Sequence, residues 1–239
     1  MNLRKWVLGI VAITAAAIFI GFGFWQLRRL ESRQQQNALL ASRRFAPEIS
    51  LDSLPADTSA ARFRRVRLRG RFDFANDIVH TLRGRSGSPG VNILTPLLRA
   101  GTDTAVLVNR GWVYAPDGMT VELRPWREAD TVSGVGFVET FPTVGVFAPP
   151  NPERPRAFRR LDRAAIAKLL PYPIANYYVV LSDSISSRAP GLGVAPASNV
   201  PPRVQPAALD EGSHRNYAVQ WFSFAAISII GLVILLRRI

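Results

Sequence analysis

The sequence predicts an α+β membrane protein in which two transmembrane helices, one at each end, flank a mainly antiparallel β domain. Two observations carry this. Uncharged runs stand at residues 6–27 and 217–236, and at about 1.5 Å of rise per residue each is long enough for a ~30 Å hydrocarbon core. Between them, apolar and polar residues alternate with the period of a strand, and short turns join the segments where parallel sheets need helical crossovers. The chain divides accordingly into termini at 1–5 and 237–239, helices at 6–27 and 217–236, and a β-rich domain at 28–216.

The elements follow in order. Ala15, Ala16 and Ala17 could serve a signal peptidase, but cleavage there would leave a run of isoleucine, phenylalanine, glycine and tryptophan as the new start. Retention as a membrane helix is the expectation. Residues 31–44 are polar and continue that helix until Pro47 and Pro55 break the chain. Val66, Leu68, Phe72 and Phe74 mark one strand, and 78–82 a second after a turn at Ala75, Asn76 and Asp77. Residues 84–90 form a Gly, Ser and Pro loop. Residues 91–98 and 104–113 form a hairpin around 99–103. Further strands lie at 132–139 and 177–181. One short helix at 164–170 is capped by Asp162 and ended by Pro171. Residues 186–206, rich in Pro, Gly, Ser and Ala, are an extended connection into the second membrane helix.

Composition excludes several functions. The net charge is +13, and all basic residues but Lys5 and Lys168 are arginine. The densest stretch, residues 62–72, places its arginines opposite Phe63, Val66, Leu68 and Phe72. That is a strand with one apolar and one solvated face, suited to anionic lipid headgroups. Stacking platforms for nucleic acid would need aromatics on the basic face, so nucleic acid is not an expected partner. Cysteine is absent and the histidines are two, His80 and His214. Neither a thiolate metal site nor a histidine cluster can be built, which excludes a copper chaperone. No nucleophile elbow, zincin or phosphate-loop motif occurs, so the chain is not read as an enzyme.

The polar start of the second apolar run is the remaining candidate. Both helices join one domain, so Trp25 and Gln26 lie at about the depth of Tyr217, Gln220 and Trp221. At about 100° per residue, His214, Ala218, Trp221, Ala225 and Ser228 share a face, with Tyr217 at its edge. Ala12, Ala16, Phe19, Gly23 and Gln26 form the facing stripe, and small residues on both permit close approach. Arg28 and Arg29 stand above. Two interpretations remain open: an ordinary aromatic belt with snorkelling arginines, or a site for a flat amphiphile that wants an axial nitrogen, apolar walls and cations for its carboxylates. The second description fits haem.

Three stretches, GFGFWQLRRL (21–30), VNRGWVY (108–114) and HRNYAVQWFSFA (214–225), resemble the signatures of the Surfeit locus protein 1 family. RRVRLRGRFD, GVNILTPL (90–97) and Arg160-Leu161-Asp162 match in order between them. Phe158 stands where the family often carries tryptophan, Glu31-Ser32-Arg33 replaces a usual Trp-Lys, and 186–206 diverges. The resemblance implies an assembly factor for haem–copper cytochrome c oxidase that binds haem a. The haem would be handed to the oxidase's catalytic subunit, with haem a synthase as a further partner. It implies an inner-membrane, two-pass layout with the domain in the periplasm and both termini cytoplasmic. The charge count does not decide that orientation, because Arg28, Arg29, Arg33, Arg43 and Arg44 sit on the domain side. The family's haem-iron ligand maps onto His214. Trp25, Tyr217 and Trp221 would wall the cofactor, and Arg28 or Arg29 would meet its propionates. Asn109, Arg110, Gly111 and Trp112 could support a propionate or a partner surface, or simply pack.

Overall fold

The computed structural model describes residues 3–54, 58–143, 151–182, 199–206 and 208–237. In chain order the elements are α1 (Leu3–Arg44), β1 (Ile49–Ser50), α2 (Thr58–Ala61), β2 (Arg65–Phe72), β3 (Ile78–His80), β4 (Gly90–Leu98), β5 (Ala105–Tyr114), β6 (Thr131–Thr140), β7 (Ala157–Phe158), α3 (Arg163–Ala167), β8 (Ile174–Ser182) and α4 (His214–Arg237). They form two compact units. One holds Met1–Ser42 with Ala208–Ile239, the other Arg43–Ala207.

In the first unit, α1 and α4 run antiparallel and are long and apolar enough to cross a membrane. No proline interrupts α1 before Pro47, so its polar second half continues the helix, and Arg43 and Arg44 complement the dipole of its last turn. The seam follows the expected stripes: Ala16, Gly23 and Gln26 of α1 and Ala218 and Ala225 of α4 are buried. Close approach explains the glycine: a Cβ on Gly23 would lie 2.5 Å from the Phe222 ring. Trp221 packs on Phe22 at 4.9 Å and on Phe19 at 5.7 Å between ring centroids.

The second unit is a barrel. β2, β6, β8, β5 and β4 pair in sequence, and β2 closes on β4 through Arg71 with Leu98 and Phe72 with Leu97. Most pairings are antiparallel, as the short turns predict. The exceptions are β5 with β8, which run parallel with α3 in the crossover, and the parallel additions of β1 to β2 and β7 to β3. Val66, Leu68, Leu97, Val106, Val108, Val138 and Val179 fill the interior. Strands β4 and β5 are buried on both faces because α3 and β7 cover their outer side. Asp162 caps α3, as expected, by accepting from the backbone of Ala164 and Ala165.

Three expectations need correction. The turn before β3 is a 3-10 turn over Phe74–Asn76 started by Asp73, whose carboxylate accepts from the Ala75 N–H. The helix before Pro171 is one turn shorter than its apolar pattern, since Lys168 already leaves the helical ladder. The second apolar helix starts at His214, not at 217, because the Tyr217 N–H already bonds the Ser213 carbonyl. Of the 186–206 connection, 186–198 lies outside the described residues, as do Pro55 and Arg238.

Candidate functional site

α4 opens on a histidine whose partner comes from α1. His214 Nδ1 lies 2.8 Å from Gln26 Oε1 across the seam, and Gln26 is only 8% exposed. With the carboxamide oxygen turned to the ring, Nδ1 carries the hydrogen and donates. Nε2 then keeps its lone pair and has no hydrogen-bond partner among the described residues. Gly212 lies beside that ring edge: a Cβ there would stand 3.6 Å from Cδ2 and 3.8 Å from Nε2. The chain reaches α4 through a turn in which Gly212, at φ +67, donates to Asp210 Oδ1.

Beyond Gln26 the seam continues in polar groups. Arg33 Nε and Asn37 Nδ2 donate to the Asp210 carbonyl at 3.3 and 2.8 Å, and Gln34 Nε2 donates to Glu211 Oε1 at 2.7 Å. These residues fix the turn entering α4. Sequence reading missed them, although Gln26, Arg33 and Asn37 at i, i+7 and i+11 extend the α1 stripe and could have signalled it.

The other predicted site residues are placed differently. Trp25 is 52% and Tyr217 48% exposed, and Arg28 and Arg29 are exposed as well. Trp25 lines a shallow apolar groove of about 370 Å³ with Ile18, Gly21 and Phe22. Trp221 sits on the seam against Phe22, so the two indoles do not face each other across a slot. The physical reason is helical phase: Trp25 and Gln26 are neighbours in sequence, so about 100° separates them around α1.

Asn109, Arg110, Gly111 and Trp112 resolve as packing. In the β4–β5 ladder, Leu94 pairs with Asn109 and Ile93 with Gly111, which leaves Arg110 as the extra residue of a β-bulge. The bulge turns Arg110 fully inward, where its guanidinium donates to Thr95 Oγ1 (2.7 Å), the Trp126 carbonyl (2.5 Å) and Glu128 Oε1 (3.2 Å). It also lies 5.0 Å from the Phe74 ring centroid. Asp77 accepts from the Thr95 hydroxyl through Oδ1, while its Oδ2 stands 3.7 Å from Arg110 Nη2 without a hydrogen bond, and burial pushes its carboxyl above the usual range. Glu128 in turn takes both Nη1 (2.9 Å) and Nη2 (2.6 Å) of Arg203. Arg203 belongs to the last stretch before the 208–237 segment, and it is held further by Gly111 and Trp112. The Trp112 N–H donates to the Pro202 carbonyl at 2.8 Å, and a Cβ on Gly111 would lie 2.5 Å from that oxygen. A fully buried guanidinium with these partners cannot meet a propionate.

A closed β-barrel domain between two helices of membrane-spanning length is the layout of a two-pass membrane-anchored protein. The sequence model of the SURF1 family matches residues 13–226. A SURF1-like protein of Rickettsia felis is 26% identical over 96% of each chain. Surfeit locus protein 1 of Takifugu rubripes is 26% identical, covering 93% of this chain and 92% of its own. The human Surfeit locus protein 1 is 24% identical, covering 93% and 74% respectively. The chain belongs to the SURF1 family.

Proposed function

We propose that this protein is a non-catalytic assembly factor for haem–copper cytochrome c oxidase that binds haem a transiently and aids its insertion into the catalytic subunit. Haem a synthase is the source of the cargo in this account, and membrane lipids are the remaining partners. The protein would sit in a bacterial inner membrane, its barrel domain in the periplasm and both termini in the cytoplasm. The observation that carries the proposal is the oriented imidazole at the polar end of a membrane-helix pair. His214 presents Nε2 while Nδ1 is held by Gln26, the outer-shell arrangement that metal-ligating histidines use. When bound, haem would supply an iron, and Nε2 of His214 would be the nitrogen that holds it. The residues present fit such a group on one side: Trp221 and Phe22 give an aromatic surface on the seam, and Nε2 of His214 has no hydrogen-bond partner among the described residues. Tyr217, Trp25, Arg28 and Arg29 are exposed near the same end, where the arginines would meet propionates at headgroup level.

A second reading has its own support. Trp25 and Trp221 do not form a two-walled slot, which favours a scaffold that recruits oxidase subunits or haem a synthase without holding haem. The haem-to-protein ratio of His214→Ala and His80→Gln, purified beside wild type from cells that make haem a, separates the two. Loss of most haem from His214→Ala, with His80→Gln near wild type, is the expected result. Haem retained by His214→Ala with an unchanged spectrum would reject the ligand, and wild-type protein that carries no haem would leave the scaffold.

A further inference from the structure

We infer that Gln26 is the positioning residue of the site: it selects the tautomer of His214 and holds the ring so that Nε2 is the available nitrogen. The inference rests on the haem-binding reading for its purpose but not for its test.

The argument starts from cost. A carboxamide on a membrane-spanning helix is expensive unless it finds a partner, and Gln26 is buried to 8% exposure on the seam. Its oxygen has one partner among the described residues, the Nδ1 of His214 at 2.8 Å. The packing around the pair is what allows the reach. Gly23, one turn before Gln26, lets the Phe222 ring approach where any Cβ would collide. Ala218, one turn after His214, is 2% exposed and adds no bulk between the helices. A Gln side chain spans the remaining gap, whereas Asn, shorter by one methylene, would not.

The chemistry follows from the hydrogen bond. An acceptor-only oxygen fixes the hydrogen on Nδ1 and leaves the lone pair on Nε2. It also makes the imidazole a stronger donor to a metal and stops the ring from turning. An apolar residue at position 26 would fill the same volume but remove that selection. A carboxylate would keep it and strengthen it.

The experiment uses the full-length protein in lipid nanodiscs, ¹⁵N-labelled at histidine. The chain holds two imidazoles, so His214 is recognised by the signals that vanish in His214→Ala. Wild type, Gln26→Leu and Gln26→Glu are compared haem-free, and then after loading with ferric haem b. Wild type and Gln26→Glu should show the Nδ1–H tautomer, and Gln26→Leu a mixture or the Nε2–H form. In the loaded samples, Gln26→Leu should bind about 10- to 100-fold more weakly. Gln26→Glu should hold haem and raise the iron–histidine stretching frequency. A merely structural role would lower thermal stability in both variants while leaving the His214 tautomer unchanged. That result, or a Gln26→Glu protein indistinguishable from Gln26→Leu, would overturn the inference. A tautomer that follows position 26 in a protein that binds no haem would uphold the positioning and sink the haem-binding reading instead.

Discussion

His80 packs in β3 between Asn92 of β4 and Phe158 of β7. Burial, reinforced by the neighbouring Arg83 guanidinium, lowers its pKa to about 3, against a hydrogen bond with the Arg159 backbone that acts in the opposite direction. The folded protein therefore keeps this imidazole neutral, while the unfolded chain protonates it below about pH 6.5. Its contribution to stability is fully present above about pH 6.5 and is lost as pH falls towards about 3, with a slope approaching 1.4 kcal/mol per pH unit. Asp77 acts with the opposite sign, because burial raises its carboxyl and the folded state takes up that proton first. The difference between wild type and His80→Gln isolates the histidine. Denaturant unfolding followed from pH 7 to 4 should fall more steeply for wild type than for His80→Gln. Parallel curves would show that His80 titrates equally in both states. The second histidine illustrates what the sequence could and could not convey at this scale. Spacing placed His214 on the seam face. Its bond to Gln26 depends on the register of two helices separated by 188 positions, which no local pattern contains.

Among the elements, the strands were legible because β2 to β6 and β8 alternate or run apolar over eight or more residues, apart from three-residue β3, which its turn announces. The two-residue strands β1 and β7 and the four-residue α2 carry no periodicity and were not foreseen. The bulge in β5 was also hidden. Asn109-Arg110-Gly111 lies inside an otherwise regular run, and only pairing with β4 shows that Arg110 is skipped. Gly111 is needed there twice over, for a φ of +153 and for contact with Pro201 and Pro202. Replacing it by alanine should cost about 1–3 kcal/mol from backbone conformation alone, plus the displacement of the 199–206 segment and the Trp112 hydrogen bond. Gly101→Ala is the matched control. It also has positive φ, +78, but meets nothing within 4 Å. A larger drop in melting temperature for Gly111→Ala than for Gly101→Ala is expected, and equal drops would dismiss the clamp.

For the whole molecule, the orientation proposed above makes a labelling prediction that local charge does not. Five arginines follow the first apolar run, against one acid, within residues 28–44, a bias that taken alone favours a cytoplasmic domain. Because the chain has no cysteine, Ser86→Cys on the exposed loop before β4 gives a single reporter. An impermeant maleimide should label it in cells whose outer membrane is opened and whose inner membrane is intact. Labelling that begins only after the inner membrane is broken would invert the topology.

Ring closure in the barrel dictates an order of assembly. Among the described residues, β8 is the strand that pairs with both β5 and β6, so the circuit stays open until residue 174 and those after it are available. A chain emerging from its N-terminus can form the β4–β5 hairpin early, but β5 and β6 must each wait with an unpaired edge. Such long-range pairings fold slowly, and unpaired edges invite intermolecular association. The step most exposed to aggregation is therefore the arrival of β8, and lesions in that strand should lower the yield of soluble barrel well before they lower the stability of barrels that have already closed.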